Sequence, residues 1–122
     1  MTENSLSFPS ELRLNKPDDY KKVFARPVKS GDQYFTLLAI RNDLDHPRLG
    51  LAIAKKQIKK AVQRNAIKRA VRENFRMRQY SLGSMDIVVL ARREAIDAPL
   101  ETLSHSLERH WSRLVSRCAS CS

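Results

Sequence analysis

The sequence predicts a single α+β domain in which helices pack against a small mixed β-sheet. Three observations indicate this fold class. A chain of 122 residues suits one hydrophobic core. An apolar content of 42%, with only three glycines and five prolines, is typical of a packed domain and not of a disordered basic chain. Helical and strand-like apolar patterns also alternate along the chain. We expect one domain over residues 1–122, with an irregular arm at 1–12 and a frayed tail at 118–122.

The first predicted helix covers about residues 17–26. A proline stands in its first turn, where proline is well tolerated, and Tyr20, Val23 and Phe24 recur at helical spacing. A second proline and a Ser-Gly-Asp cluster then end the helix.

Two strands follow this helix. Residues 34–41 are rich in aromatic and branched side chains, and 49–54 form another apolar run. The residues between them, 42–47, read as a turn. The simplest arrangement of the two strands is an antiparallel hairpin.

The second half of the chain predicts a helix, a strand and a helix. Residues 60–80 contain no glycine or proline, and 86–92 form a third apolar strand. Asp97 and Pro99 supply a cap and a first-turn proline for the last helix. The apolar face of that helix is predicted to consist of Leu100, Leu103, Leu107, Trp111, Leu114 and Val115.

Positive charge is concentrated in one part of the chain. The net charge is +10, and residues 55–78 hold ten basic residues against one acid, Glu73. The remainder of the chain is nearly balanced. A local block of one sign creates a directed field that attracts a polyanion. Nucleic acid is the expected partner.

The charge forms a stripe on the second predicted helix. At about 100° per residue, Lys68, Arg72 and Arg76 align, with Asn65 and Arg69 beside them. The opposite arc is mostly apolar and should pack on the sheet: Ala66, Ile67, Ala70, Val71, Asn74 and Phe75. Like charges four residues apart destabilise an isolated helix, so a counter-charge is expected. The alternatives are a solvated face, or contact with anionic lipid, which the need to cover the sheet disfavours.

Other classes of function have less support in the sequence. The N-terminal residues lack the pattern of a secretory signal, and no apolar run could span a bilayer, so a cytoplasmic protein is expected. Cys118 and Cys121 form a single C-x-x-C pair near the C-terminus, which is insufficient for a zinc site.

Specific motifs resemble a known family. Residues 48–56 read R-L-G-L-A-I-A-K-K, and 60–76 read K-A-V-Q-R-N-A-I-K-R-A-V-R-E-N-F-R. They are similar to the signature of the bacterial ribonuclease P protein family, R-x-G-x-x-x-x-K-K followed by A-V-x-R-N-R-x-K-R-x-x-R-E-x-F-R. D-Y-K-K-V-F at 19–24 and D-I-V-V-L-A-R at 86–92 also match family segments. One departure is Ala66, where the family has a second arginine in its R-N-R triplet.

The resemblance implies a fold and a function. The fold is a four-stranded mixed sheet with three helices and a left-handed βαβ crossover, similar to ribosomal protein S5 domain 2. The protein would be the non-catalytic subunit of an endoribonuclease that removes the 5′ leader from precursor tRNA. The RNA subunit would hold Mg²⁺ and perform the hydrolysis, so neither a catalytic nor a metal-binding residue is assigned to the polypeptide.

Candidate binding residues follow from the charge pattern and the resemblance together. Those assigned to the ribonuclease P RNA are Lys55, Lys56, Lys60, Arg64, Asn65, Lys68, Arg69, Arg72 and Arg76. Those assigned to the leader of precursor tRNA are Tyr20, Phe24, Phe35 and Leu37. The aromatic members could stack on bases, although core packing would also explain Phe24.

Three rival functions share the size and charge of the chain. A structural ribosomal protein is the strongest of them. A helix-turn-helix regulator of DNA is disfavoured because no short helix and turn precede the basic helix. A nuclease acting alone is disfavoured because acids and histidines are scattered along the chain.

Overall fold

The computed structural model describes residues 12–14 and 16–120. Its elements, in chain order, are α1 (Pro17–Ala25), β1 (Val28–Gly31), β2 (Phe35–Arg41), β3 (Arg48–Ala52), α2 (Ala61–Leu82), β4 (Met85–Ala91), a 3₁₀ helix (Arg93–Ile96) and α3 (Leu100–Ser120). The α+β class with three helices is confirmed.

The four strands form one mixed sheet in the order β1-β2-β4-β3. Strand β4 pairs antiparallel with β2 and parallel with β3. The predicted hairpin of β2 with β3 is therefore wrong, because β4 lies between them. Nearly every residue of β4 is buried, and a strand that is apolar on both faces is most stable at the centre of a sheet.

Strand β1 was not predicted from the sequence. Its four residues lie between a proline and a turn, and they pair antiparallel with β2, Val28 opposite Ala39 and Gly31 opposite Thr36. Ser30 is the buried member of this strand. The missed strand is an edge of the sheet.

Each face of the sheet carries its own apolar core. Phe35, Leu37 and Ala39 of β2 lie in the larger core, with residues of α2 and α3. Leu38 of β2 lies in the smaller core, together with Val23 of α1. This alternation follows the two-residue period of a strand. We call the side covered by α1 the α1 face.

The helices largely confirm the predicted boundaries. Helix α2 buries Ile67, Val71, Phe75 and Leu82, and it ends at Gly83, whose positive φ of 75° favours glycine. The ring of Trp111 on α3 lies edge-on to Phe75, with 6.0 Å between ring centroids.

Two predictions about α3 need correction. Leu103, Leu107, Trp111 and Leu114 are buried, whereas Val115 is 37% exposed. Leu100 is 66% exposed because it starts the helix beyond the reach of the core. The helix also continues to Ser120, so its backbone is helical over the first three residues of the predicted tail. Cys121 and Ser122 lie outside the described residues.

The predicted N-terminal arm is only partly described. Residues 1–11 lie outside the described part. Leu12 and Leu14 are buried, and the Leu14 amide donates to the carbonyl of Leu49 at 3.0 Å. The end of the arm therefore lies along the outer edge of β3.

A buried polar cluster joins α3 to β1 and the turn after it. Ser30 Oγ lies 2.6 Å from Nδ1 of His110, and Nε2 of His110 lies 3.2 Å from Asp32 Oδ2. Ser106 donates to the same carboxylate oxygen at 2.5 Å. The other oxygen of Asp32 accepts the backbone amides of Tyr34 and Phe35. These bonds fix α3 against β1.

Candidate nucleic-acid interface

The predicted basic stripe forms a continuous surface on α2. We call it the α2 ridge; it consists of Asn65, Lys68, Arg69, Arg72 and Arg76. Asn65 and Arg69 are exposed, and the other three are half-buried. The acid of α2, Glu73, accepts from Arg76 at 2.6 Å. One carboxylate leaves the ridge strongly positive.

Arg72 connects the α2 ridge to other parts of the molecule. Burial lowers the pKa of Arg72, and the charge of nearby Arg13 lowers it further, whereas Tyr20 raises it. An arginine stays protonated in such surroundings. Two cations from different segments, Arg13 and Arg72, therefore repel each other. A bound phosphate would relieve this repulsion.

A basic loop precedes α2. Lys55, Lys56 and Lys60 are exposed there, while Ile58 is fully buried and anchors the loop. Nη1 of Arg64 donates to the carbonyls of Ile58 and Lys59, each at 2.9 Å. Arg64 therefore positions the loop lysines, a role that the sequence did not reveal.

Ala66 lies beside the ridge and is exposed, as is Val62. Ala66 was predicted to face the core, but it lies at the margin of the apolar arc, away from the sheet. Ala66 instead borders a groove of about 920 Å³ between α2 and α3, together with Met77 and Leu100. An arginine at this position would have room.

The α1 face holds two of the four residues assigned to the leader. Tyr20 is half-buried and lies so close to β3 that a Cβ added at Gly50 would come within 2.8 Å of its hydroxyl oxygen. Phe24, one turn later on α1, is 46% exposed. The aromatic surface available to a ligand is therefore mainly that of Phe24.

The other two residues lie on the opposite side of the sheet. Phe35 and Leu37 are fully buried in the core beneath α2 and α3, so their assignment to a leader cleft is wrong. Alternate side chains of a strand point to opposite faces of the sheet, and the prediction assigned the wrong set of alternate β2 residues to the leader. Leu38 and Ile40 are the apolar β2 residues of the core on the α1 face.

Arg48 and Asp86 fix this region. The Arg48 guanidinium donates to both oxygens of Asp86, at 2.9 and 2.7 Å, and lies 3.6 Å from Asp19 of α1. These hydrogen bonds raise the pKa of Arg48. The arginine of the R-x-G motif therefore joins α1, β3 and β4. Sequence reasoning did not assign it this role.

Two observations concern the side chains that could bind a metal ion or hydrolyse a substrate. In the part of the chain that the structure describes, no three His, Cys, Asp or Glu side chains are grouped to hold a metal ion. Ser30, His110 and Asp32 are the residue types of a hydrolase triad, but the serine is 2% and the histidine 1% exposed. A substrate cannot reach them.

No helix of the described residues is long and apolar enough to cross a membrane.

Comparisons with known proteins agree with this arrangement. The family model described as Ribonuclease P matches residues 8–115. A ribonuclease P protein component from Methylococcus capsulatus is 49% identical over 115 residues, which cover 94% of this chain and 90% of the relative. One from Photobacterium profundum is 50% identical over 111 residues, covering 91% and 94%.

Solved structures show the same similarity. The RNase P protein of Staphylococcus aureus superposes with a TM-score of 0.77 at 33% identity, covering 83% of this chain and 93% of that one. A mutant of it with defective mRNA degradation activity gives 0.82 at 32% identity, covering 92% and 94%. The Thermotoga maritima RNase P protein gives 0.74 at 30% identity, covering 83% and 96%.

Proposed function

The chain belongs to the bacterial ribonuclease P protein family, and on that premise we propose that it binds two RNAs at once. The α2 ridge and the basic loop bind the ribonuclease P RNA. The α1 face binds the 5′ leader of precursor tRNA. The RNA subunit, with its Mg²⁺, hydrolyses the phosphodiester in the cytoplasm. The observation that carries the proposal is the α2 ridge, a surface of one sign on a rigid helix.

Electrostatics supports the assignment of the ridge. Each phosphate neutralised by a lysine or arginine releases condensed counterions, so affinity falls as salt rises. If about five phosphates are neutralised, log affinity should fall against log salt with a slope near −4. The same replacement of counterions by fixed charges would lower the Mg²⁺ concentration that two neighbouring RNAs require.

Exposure supports the assignment of the α1 face. Phe24 presents nearly half of its surface on a helix that Tyr20 and Val23 hold against the sheet. Stacking of one base on an aromatic side chain contributes about 1–3 kcal/mol. Such contacts tolerate any base, as a leader of variable sequence requires.

The test is a reconstituted cleavage assay. The protein is added to a bacterial ribonuclease P RNA at low Mg²⁺ with precursor tRNA as substrate, and we expect cleavage to be restored. The variant Lys68→Gln with Arg69→Gln should bind the RNA subunit more weakly and need more Mg²⁺. Arg41→Gln with Arg93→Gln, which removes two exposed cations outside the ridge, is the matched control. Equal behaviour of both variants would refute the ridge as the RNA-binding surface.

A second arm of the assay tests the leader. The holoenzyme should bind precursor tRNA more tightly than mature tRNA, and Phe24→Ala should reduce that preference without changing affinity for the RNA subunit. Equal binding of the two tRNA forms by the unaltered protein would defeat the leader proposal.

A third arm omits the RNA subunit. We expect no cleavage of precursor tRNA by the polypeptide alone. Cleavage that persists in the purified protein would show that the hydrolysis does not belong to the RNA.

A further inference from the structure

A second row of cations lies on α3. Arg109, Arg113 and Arg117 are four residues apart and all three are exposed. Four residues of helix rise about 6 Å, so the row spans about 12 Å along one side of α3. We call it the α3 row. Neither the sequence reasoning nor the proposed RNA contacts use it.

The α3 row lies on the side of α3 that faces β1 and not on the side that faces α2. On the side of α3 that faces α2, Glu108 pairs with Arg78 at 3.1 Å and Trp111 donates to Asn74. On the other side, Ser106 and His110 contact the residues of β1 and its turn. The α3 row shares this second side, because Arg117 donates to the backbone carbonyl of Lys29 in β1.

Strand β1 connects the α3 row to the α1 face. Lys29 pairs with Leu38, a residue of the core under α1, so the two side chains lie next to each other on that face. Ser30 points the other way, toward α3. A strand of RNA leaving the α1 face across β1 would therefore pass Lys29 and then reach Arg117.

The net charge of this edge is positive. Two acids lie near the α3 row. Asp32 is 3.7 Å from Arg109 and also receives the bonds of the buried cluster, and Glu108 pairs with Arg78 on the other side of α3. Within the described residues, Arg113 makes no hydrogen bond or ion pair, and Arg117 donates to a neutral carbonyl. At least two cations, with Lys29 beside them, are thus available to an anion.

We propose that the α3 row, with Lys29, binds backbone phosphates of the upstream part of the precursor tRNA leader, beyond the nucleotides held on the α1 face. This inference rests on the proposed leader contact. Phosphates are the ligand that suits exposed arginines at regular spacing, and such contacts carry no base specificity. A leader that is long enough to cross β1 therefore gains affinity whatever its sequence.

The test compares leader lengths in the holoenzyme. Precursor tRNAs with leaders of about 4 and about 16 nucleotides, the range that one small RNA-binding fold covers, are bound to the holoenzyme. Two phosphate contacts on a single strand at 0.15 M salt correspond to about tenfold in affinity. We expect the long leader to bind about tenfold more tightly, and Arg113→Gln with Arg117→Gln to abolish this advantage. Arg41→Gln with Arg93→Gln, again the matched control, should keep it.

Other outcomes overturn the inference. If the double variant bound both precursor tRNAs more weakly by the same factor, the α3 row would contact the tRNA body. If the double variant bound the RNA subunit more weakly, the row would contact that RNA. If the double variant still bound the long-leader precursor tRNA more tightly than the short-leader one by the same factor, the α3 row would not bind the leader. If the unaltered holoenzyme bound precursor tRNA with the short leader no more tightly than mature tRNA, the leader contact on which the inference rests would be refuted.

A crosslinking measurement gives a second readout that does not depend on affinity. A photoreactive group attached at position 113, through Arg113→Cys in a chain that also carries Cys118→Ser and Cys121→Ser, should crosslink to upstream nucleotides of the long leader in the holoenzyme. Crosslinks to the tRNA body or to the RNA subunit alone would contradict the proposal.

Discussion

Gly50 shows how one residue sets the position of α1. A Cβ at this position would lie 2.8 Å from the hydroxyl oxygen and 2.9 Å from two ring carbons of Tyr20. We predict that Gly50→Ala lowers the free energy of unfolding by about 1–3 kcal/mol, because the ring and α1 must shift to relieve the overlap. Urea denaturation measures this change.

Gly31→Ala is the control for this prediction. A Cβ at Gly31 would meet its nearest atom at 3.6 Å, an ordinary contact. This variant should be neutral or slightly stabilising, because alanine restricts the unfolded chain. Equal losses in both variants would show that steric overlap with Tyr20 is not the cause.

The R-x-G motif illustrates what sequence patterns reveal at the scale of residues. The pattern located Arg48 and Gly50, but only the contacts show that the arginine joins Asp86 to Asp19 and that the glycine admits Tyr20. The wrong assignment of Phe35 and Leu37 has a related cause. Both faces of β2 are apolar, so alternation along the strand could not show which face α1 covers.

At the scale of elements, helices were predicted more accurately than strand pairing. The predicted bounds of α1 and α2 agree with the structure to within about two residues, because helical periodicity is local. The sequence around β3 did not indicate its pairing partner, because its partner β4 is separated from it in the chain by the whole of α2. Strand β1 is too short for a periodic signal.

Ala66 provides a prediction for the surface of α2. The residue is exposed beside the ridge, at a position where the family pattern has arginine. Ala66→Arg should add one phosphate contact and make the slope of log affinity against log salt steeper by about 0.7–0.9 for the RNA subunit. Titrations at several salt concentrations measure it.

Tyr80→Arg is the control for Ala66→Arg. It adds the same charge about four turns further along α2, at a side chain that is 93% exposed. A steeper slope in both variants would mean that net charge, and not position beside the ridge, governs the affinity.

At the scale of the whole molecule, the polar cluster predicts a loss of stability in acid. Burial lowers the pKa of His110 from its ordinary value of 6.5, and Arg113 and Arg109 lower it further, while Asp32 only partly opposes them. At neutral pH the folded protein thus holds this histidine uncharged, and His110 takes up its proton only at lower pH. Below pH 6.5 the unfolded chain binds the proton more readily, so stability falls. We expect a loss of up to about 1 kcal/mol between pH 6.5 and 5.5.

A second decline is expected at lower pH. Burial raises the pKa of Asp32, but the hydrogen bonds from Ser106, Phe35 and Tyr34 and the charge of His110 outweigh it, and the net pKa lies below 3.8. The stability from these bonds is present above pH 3.8 and is lost below it. Urea denaturation at several pH values should show both declines.

Histidine variants separate the two contributions. His110→Gln should flatten the dependence of stability on pH between 6.5 and 5.5, whatever its effect on stability itself. His105→Gln, at an exposed position of the same helix, should leave that dependence unchanged. A flat profile in the unaltered protein would contradict the assignment to His110.

The order of the strands also has a consequence for synthesis. Strand β4 supplies the partner of β3 and one partner of β2, yet it is the last strand to be made. During translation, a growing chain that does not yet include β4 leaves β2 and β3 each with an edge whose backbone N–H and C=O groups have no β4 partner. Such intermediates are prone to aggregate. Completion of the sheet must await emergence of residues 85–91, which makes folding of this small protein a late and long-range event.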